Sequence, residues 1–473
     1  MAGTQGNRAV LDRHIGTRSH WPVHVETEVT LSISQTDRIA VLGYGVTGRS
    51  VVRYLVSKGI SPIVIDTRPQ PADAPAVEGA TFYWDAHALP HESIDMLVVS
   101  PGLPLDTCLV RQAALSDVEL VSDIDLFSNE VTAPVFGITG TNGKSTVTAL
   151  VAHILNGIGM PCSAGGNLGK AVLDLLEEPT ENYALELSSF QLERSHRLGL
   201  RSAVILNVSE DHLDHHKDLD AYIASKHRIF RNAELLVFNR DDVRTKPASS
   251  GRSISFGTAA PHNAKDWGVM MQGSVRWLAQ GGRAIVACAE LPLAGLHNEL
   301  NVMAALALVS EVCDPLLAIP TLASFKGLRH RFEVILEYNH VTFINDSKAT
   351  NLGSTIAALE GQPTSSKVIL IAGGDAKGVD LGPLGAVMRK RVKHLVTLGI
   401  DGPQLADVAQ REGIATTPSQ SIAEAVAHAA QSSSSGDIVL LSPACASLDM
   451  FDNFMQRGEQ FEQAVVKLVG GAA

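Results

Sequence analysis

Residues Gly137–Thr146 read GITGTNGKST, and their setting decides the fold. The apolar run Pro134–Thr139 (PVFGIT) leads into them. After them Val147, Leu150, Val151, Ile154 and Leu155 recur at the spacing of one helical face. Strand, Gly-rich loop, Lys-Ser/Thr, helix is an arrangement that cradles phosphates. Its glycines let backbone N–H groups approach the oxygens, and the helix N-terminus adds positive potential. Gly140, Thr141, Asn142 and Gly143 form the loop. Lys144 would hold β- and γ-phosphate oxygens, and Ser145 or Thr146 would ligate Mg²⁺. The common G-x-x-x-x-G-K-[ST] spacing would place a glycine at 138, where this chain has Ile138, so the loop is a variant.

Outward from this loop, short Val- and Ile-rich runs alternate with helical patterns, as expected for strands buried on both faces of parallel sheets. N-terminal to it lie Arg38–Gly43, a helix near Gly48–Lys58, Pro62–Asp66 and Met96–Ser100. C-terminal to it come Ala184–Leu187, Ala203–Asn207 and Leu235–Asn239, then a helical segment at Asn301–Val309. The stretch from Gly251 to Leu293, with Gly pairs and two Trp, reads as an antiparallel appendage. A third series opens near Gly327, with strands at Val341–Asn345, Val368–Ala372, Leu395–Leu398 and Ile438–Leu441. Gln431–Gly436 reads as a polar loop. The expectation is an α/β protein of three domains: a Rossmann-like N-terminal domain, a P-loop-type central ATPase domain and a Rossmann-like C-terminal domain. The boundaries fall at 37–130, 131–326 and 327–473, and residues 1–36 form a flexible extension.

Length and composition agree. The chain has 473 residues, and about 100–200 residues per domain predicts about three domains. Lys and Arg total 38 against 50 Asp and Glu, a net charge of −12, which weighs against broad nucleic-acid binding. The five cysteines are scattered and form no CxxC pair, which fits a reducing cytosol without disulfides or structural zinc. No run is long and apolar enough for a membrane span, and the N-terminus lacks the apolar core of a secretory signal. The expected location is the cytoplasm.

Four further segments carry chemistry. Gly43–Gly48 (GYGVTG) follows a strand, and Asp66 ends the next one. That matches the dinucleotide fingerprint and puts a nucleotide's phosphates at this helix, with Asp66, Thr67 and Arg68 placed to read a base or ribose. A Gly turn needed only for packing would look the same. Glu186 ends an apolar strand in ALELSSFQLE, and Asn207–His216 read NVSEDHLDHH. A carboxylate beside a phosphate loop is a natural Mg²⁺ ligand, and His212 could bind the metal or a developing oxyanion. GLRHRFE (327–333) and NDSKATN (345–351) bring Arg331, Asp346, Lys348 and Thr350, whose basic groups could clamp phosphate or carboxylate. A surface salt-bridge network is the blander reading. SPACASLDMFDNF (442–454) follows a strand, where Ser and backbone N–H groups can bind a carboxylate.

Taken in order, TGTNGKST, ELSSFQLE, the NVSEDHLD run, YIASK, GLHNELN, HRFE, NDSKATN and SPACASLDMF resemble the Mur ligases over roughly residues 38–470. Within that family the pattern is most similar to the branch that adds D-glutamate to UDP-N-acetylmuramoyl-L-alanine. The resemblance implies an ATP- and Mg²⁺-dependent ligase of peptidoglycan precursor synthesis, working through an acyl phosphate. Its partners would be these small-molecule substrates, with no nucleic acid, no membrane insertion and a monomeric chain. It recasts the first loop as a cradle for the UDP diphosphate, with Val46, Thr47, Asp66, Thr67 and Arg68 contacting diphosphate and uracil. Asn167 and Ser188 would lie near the reacting end of that substrate. Lys226 matches a lysine that is carbamylated in the family; it would join Ser145, Glu186 and His212 in the metal site. Lys144 and Lys348 complete the catalytic set. Asn298 and Asn301 would face adenine, and Arg331 and Asp346 would contact ATP. Thr350, Lys377, Ser447 and Phe454 would hold D-glutamate. Other readings are a related ligase using another amino acid such as L-glutamate, a folate ligase, a non-catalytic nucleotide-binding sensor, and a nicotinamide dehydrogenase. The last leaves the loop at 137–146 unexplained.

Overall fold

The computed structural model describes residues 31–470 apart from 72–76, 91–92, 117, 168, 179, 213–214, 249, 294 and 363–364. Most of the expected extension, and Leu213 and Asp214 of the DHLD run, lie outside the described residues. Residues 31–36 have no helix or strand, but Leu31 is buried. The chain divides into two compact units. One ends at Asn129 and takes in Glu193–His196; the other holds Glu130–Leu192 and everything from Arg197 onward.

In the first unit, strands β1 (Ile39–Leu42), β2 (Ile63–Ile65), β3 (Thr81–Tyr83), β4 (Met96–Val99) and β5 (Glu119–Val121) form one sheet in the order β3-β2-β1-β4-β5. All four pairings are parallel. β1, β2 and β4 are buried along their whole length, which explains their unbroken apolar sequence. The helix Val46–Ser57 starts straight after β1. Gly48 is required there, because a Cβ would sit 1.9 Å from the Gly43 carbonyl oxygen.

The second unit begins with β6 (Val135–Thr139), β7 (Cys162–Gly166), β8 (Asn182–Glu186), β9 (Ser202–Ile205), β10 (Leu236–Asn239) and β11 (Ser253–Phe256), in the order β11-β10-β9-β6-β8-β7. Every strand is parallel to its neighbours, so their C-terminal ends share one edge. The helices Lys144–Gly157 and Leu296–Val309 contribute Val147, Leu150, Val302 and Leu306 to the core beside β6, β9 and β10. β12 (Trp267–Gln272), β13 (Val275–Gln280) and β14 (Arg283–Ala287) make a separate antiparallel sheet. The expected appendage over 251–293 is therefore right for these strands and wrong for β11, which extends the parallel sheet. The helix expected at 301–309 starts earlier, at Leu296, because Asn298 and Asn301 are also buried.

The last sheet holds β15 (Glu333–Tyr338), β16 (Val341–Asn345), β17 (Val368–Gly373), β18 (Val392–Leu398), β19 (Ala415–Pro418) and β20 (Ile438–Leu441), in the order β15-β16-β20-β17-β18-β19. Only β15 runs antiparallel. The polar loop expected at 431–436 is shorter, because the helix Ile422–Ser432 runs into it.

Candidate active site

The site in the second unit starts at the end of β6. Gly143 caps the following helix with φ +86°, and Lys144 is its first residue. A side chain at 143 would be strained, and its Cβ would lie 2.6 Å from Asn301 Oδ1. The loop is pinned from β9: Asn142 N–H donates to Asn207 Oδ1 at 2.8 Å, and Asn207 Nδ2 donates to the Asn142 carbonyl at 3.0 Å. Lys144 Nζ folds back onto the carbonyls of Gly140 and Thr141, at 2.9 and 2.7 Å.

β8, beside β6, delivers Glu186. Its Oε2 accepts from Ser145 Oγ at 2.5 Å and its Oε1 from Asn167 Nδ2 at 2.9 Å. Burial raises this carboxyl, but Lys144, the two hydrogen bonds and Arg331 outweigh it, so it stays below its ordinary pKa and ionised. Lys226, on the helix Leu219–His227, is 1% exposed. Its Nζ donates to the Gly140 carbonyl at 2.9 Å and lies 4.3 Å from the Tyr222 ring centre. Burial, then the nearby Lys144 charge, lowers the amine well below the usual lysine value. His212 has φ +54°, a strained backbone for a side-chain-bearing residue. Its ring lies 3.9 Å from Asp211 and 5.0 Å, centre to centre, from Phe190.

The C-terminal sheet faces this loop. Arg331 Nη2 donates to Ser145 Oγ at 2.7 Å. Asn351 Nδ2 and Ser354 Oγ donate to Asn142 Oδ1 at 3.1 and 2.8 Å. Asp346 accepts from Phe332 N–H at 3.2 Å and from Ser442 Oγ at 2.9 Å, and desolvation lifts its pKa to about 7. Lys348 Nζ lies 4.0 Å from the Phe454 ring centre, and burial, then Arg331, lowers it to about 8. A cavity of about 560 Å³ opens between the loop and this sheet. It is lined by Asn142, Gly143, Thr146, Asn298, Asn301, Arg331, Asp346 and Lys348. Lys144, Arg331 and Lys348 gather around the Glu186 and Asp346 carboxylates, an excess of cations that suits a polyanion.

Thr350, Lys377 and Ser447 sit on loops, and Phe454 opens the helix Phe454–Gly470. The Lys377 loop is zipped to the Ser447 loop, since Asp375 and Ala446 exchange backbone hydrogen bonds of 3.1 and 2.8 Å. Lys377 is exposed, with φ +53°; Ser447 is buried. The carbonyl of Phe454 accepts from Ser347 Oγ at 2.8 Å. The residue that ties these loops is Arg457, which the sequence reading passed over. From a buried position it donates to Ser347 O at 2.8 Å and to the carbonyls of Cys445 and Ala446 at 3.2 and 3.4 Å. Ser354 likewise lines the site with no local motif to mark it, while Tyr222 and Asn351 stand inside YIASK and NDSKATN without having been given a role.

In the first unit, Val46 opens the helix after the Gly43–Gly48 loop and is 73% exposed; the first turn carries no acid. Its N-terminus is open to an anion. Asp66, expected to contact the nucleotide, is buried and makes its hydrogen bonds within its own turn and to Tyr44. Its oxygens accept from Tyr44 N–H at 2.8 Å and from Arg68 N–H, Nε and Nη2 at 2.9, 2.9 and 2.7 Å. Burial raises this carboxyl, but these bonds hold it at about 2. Asp66 therefore braces the turn, and Thr67 and Arg68 are the exposed members. Asn167 contacts Glu186, as above. Ser188 caps the helix Ser189–Arg194, its Oγ donating to Gln191 Oε1 at 3.0 Å and accepting from Gln191 N–H at 3.2 Å.

Comparison with known proteins adds to this geometry. Residues 37–122 match the Mur ligase MurD-like N-terminal domain, 138–309 the Mur ligase middle domain, and 330–445 the Mur ligase glutamate ligase domain. The chain is 44% identical over 442 residues to the UDP-N-acetylmuramoylalanine–D-glutamate ligase of Shewanella oneidensis, covering 91% of this chain and 98% of that one. The Escherichia coli enzyme of the same name is 41% identical over 442 residues, covering 92% and 99%. In fold the chain is similar to the crystal structure of the UDP-N-acetylmuramate–alanine ligase MurC from Thermotoga maritima. That match has a TM-score of 0.60 at 18% identity and covers 91% of this chain and 99% of that one. MurF ligase from the same organism, solved in complex with ADP, gives 0.57 at 17% identity, covering 94% and 100%.

Proposed function

The chain belongs to the Mur ligase family, and from that premise we propose that it is the ATP-dependent ligase that joins D-glutamate to UDP-N-acetylmuramoyl-L-alanine in peptidoglycan precursor synthesis. The observation that carries the ligase reading is the cavity where the phosphate loop, Glu186 and the Arg331–Lys348 strand end meet. The observation that carries the substrate is identity above 40% along nearly the whole chain to enzymes of that name.

A carboxylate is a poor acyl donor because oxide is a poor leaving group. The L-alanyl carboxylate takes the γ-phosphoryl group of ATP to become an acyl phosphate. The amine of D-glutamate attacks its carbonyl carbon, and the tetrahedral adduct collapses with loss of phosphate. Catalysis is then mostly positioning and neutralisation of charge. Lys144 and the loop N–H groups of Gly140–Thr146 hold the β- and γ-phosphates. Asn298 and Asn301 line the adenine side; Arg331 and Asp346 position the phosphates from the C-terminal domain. Lys348 neutralises charge where acyl and phosphoryl groups meet. Lys377, Thr350, Ser447 and the backbone at Phe454 hold D-glutamate, with Arg457 fixing those loops. Val46 and Thr47 take the UDP diphosphate, Thr67 and Arg68 the uracil, and Asn167 and Ser188 the reacting end. In this reading the domains span 37–130, 131–326 and 327–473, in a cytoplasmic monomer.

The Ser145 hydroxyl and Glu186 carboxylate fit Mg²⁺, a hard cation that prefers oxygen ligands. His212 would complete the set. Lys226 fits only after its amine has added CO₂ to become a carbamate, because an ammonium would repel the ion. Its lowered basicity favours the neutral amine that this addition needs. Bound there, Mg²⁺ would neutralise phosphate charge.

The test is phosphate release from ATP and Mg²⁺ with UDP-N-acetylmuramoyl-L-alanine, comparing D-glutamate, L-glutamate and no amino acid. Release that needs both the nucleotide substrate and D-glutamate is expected. Release with L-glutamate alone would change the product, and no release would overturn the ligase.

A further inference from the structure

We propose that Trp84, backed by Phe82 and Tyr44, is the stacking platform for the nucleobase of the uridine substrate; this rests on the uridine-nucleotide reading of the first unit proposed above. Aromatic residues make up only 5% of the chain, yet three gather here. The Phe82 and Trp84 rings stack with 5.6 Å between centres and 10° between planes. Tyr44 meets both edge-on, at 5.1 and 5.8 Å. Tyr44 stands between the first two glycines of the phosphate loop, and the Arg49 guanidinium lies 5.3 Å from its ring centre. The phosphate loop and the aromatic stack are thus one construction.

The stack also adjoins the turn that reads the base. Asp66 N–H donates to the Tyr83 carbonyl at 2.9 Å, Asp85 N–H to the Arg68 carbonyl at 3.0 Å, and Ala86 N–H to the Asp66 carbonyl at 3.0 Å. Residues 83–86 and 66–68 are therefore zipped together beyond the paired ends of β2 and β3, with Trp84 inside the zipper. Phe82 and Trp84 share one face of the strand, two residues apart. Tyr83, on the other face, packs against the core of this sheet. Tyr44 is 3% exposed, whereas Phe82 and Trp84 are half-buried, so the buried ring supports a stack that reaches solvent. A half-buried indole at the C-terminal ends of parallel strands, beside an exposed Thr67–Arg68 turn, suits a flat pyrimidine. Stacking tolerates any base, so Trp84 supplies affinity and the turn supplies discrimination.

The experiment is UDP titration of the full-length protein by calorimetry and by tryptophan fluorescence, using Trp84→Ala and Trp84→Phe. Loss of one base stack should weaken UDP binding about fivefold to 100-fold in Trp84→Ala. Trp84→Phe, which keeps an aromatic face, should bind within about threefold of the parent. UDP should quench the parent's fluorescence, and the quench should vanish in Trp84→Phe although Trp21, Trp267 and Trp277 remain. In turnover the Trp84→Ala defect should sit in KM for the uridine substrate, with kcat retained. Unchanged UDP affinity in Trp84→Ala, or a quench that survives in Trp84→Phe, would overturn the platform and leave the uridine reading standing. Failure of the parent protein to bind UDP would overturn that reading and the platform with it.

Discussion

Arg331 and Ser145, 186 positions apart in sequence, meet in one hydrogen bond, the guanidinium Nη2 donating to the hydroxyl oxygen at 2.7 Å. The same hydroxyl donates its only proton to Glu186, so it joins a cation of the C-terminal sheet to an anion of the central sheet. Ser145→Ala leaves both partners short of a hydrogen bond, at a cost of about 1–3 kcal/mol. The expected outcome is a fall in kcat of at least about tenfold, each lost charge-assisted bond being worth 1.5–3 kcal/mol or about that factor. Arg331→Lys should behave alike, since an ammonium cannot reproduce the guanidinium's fixed donor geometry. Steady-state kinetics with ATP varied checks both; near-parental rates would remove this bond from the mechanism.

Gly143 tests the phosphate loop from the backbone side. Its left-handed φ and the 2.6 Å approach of Asn301 Oδ1 leave no room for a methyl group. Gly143→Ala should destabilise by about 1–3 kcal/mol and raise KM for ATP at least tenfold, because strain and a displaced Asn301 both act on the nucleotide side. Lys144→Ala, which removes the charge together with two hydrogen bonds to the Gly140 and Thr141 carbonyls, should abolish turnover. A thermal melt alongside kinetics separates the two effects.

Lys226 is a buried amine with no carboxylate in hydrogen-bond contact among the described residues, and burial makes it a weak base. Only the neutral amine adds CO₂, giving a carbamate and releasing a proton. Activity should therefore rise with added bicarbonate and fall as pH drops and the amine protonates. Lys226→Ala should lose most activity, and short carboxylates such as acetate or formate should restore part of it by filling the vacated space. No defect and no rescue would remove Lys226 from the metal site proposed above.

How much of this was legible beforehand follows from the range of the interactions. The loop at 137–146, Glu186 and Lys348 each follow an apolar run and Arg331 lies a few residues before one, so their chemistry is local in sequence. β7 escaped notice because Cys162–Gly166 reads CSAGG, small residues that fit between neighbours without an apolar signature. β15 falls almost wholly in the gap between the two segments read as a basic clamp; none of its residues is fully buried, as befits an edge strand paired on one side only. β11 looked like its antiparallel neighbours because nothing in four residues states a direction. Asp66 was singled out by its spacing from the Gly43–Gly48 fingerprint, and that it braces its own turn shows only in the position of Arg68. Arg457 was unreadable: its partners are the Ser347 hydroxyl and backbone carbonyls at 347, 373 and 445–446, all distant in sequence.

Asp123 carries the pH dependence of the first unit. It is buried, and its Oδ1 lacks a hydrogen-bond partner among the described residues. Burial first, then the neighbouring Asp125 charge, raises its carboxyl to about 7, against the pull of the Ile124 N–H and Arg194. The folded state thus keeps a proton that the unfolded chain releases near its ordinary value of 3.8. Between those two values the native state binds more protons, so stability falls as pH rises from about 4 to 7 and is flat above. The accumulated loss is on the order of 4 kcal/mol, about three units at roughly 1.4 kcal/mol each. Asp123→Asn cannot ionise, and whatever its amide costs is the same at every pH. Relative to the parent, the variant should therefore gain stability between pH 5 and pH 8. Hydrogen exchange of the β4 and β5 amides, compared between the two proteins at each pH, reads this directly. A parent-to-variant difference that stays constant across that range would mean that Asp123 is ionised in the folded protein throughout.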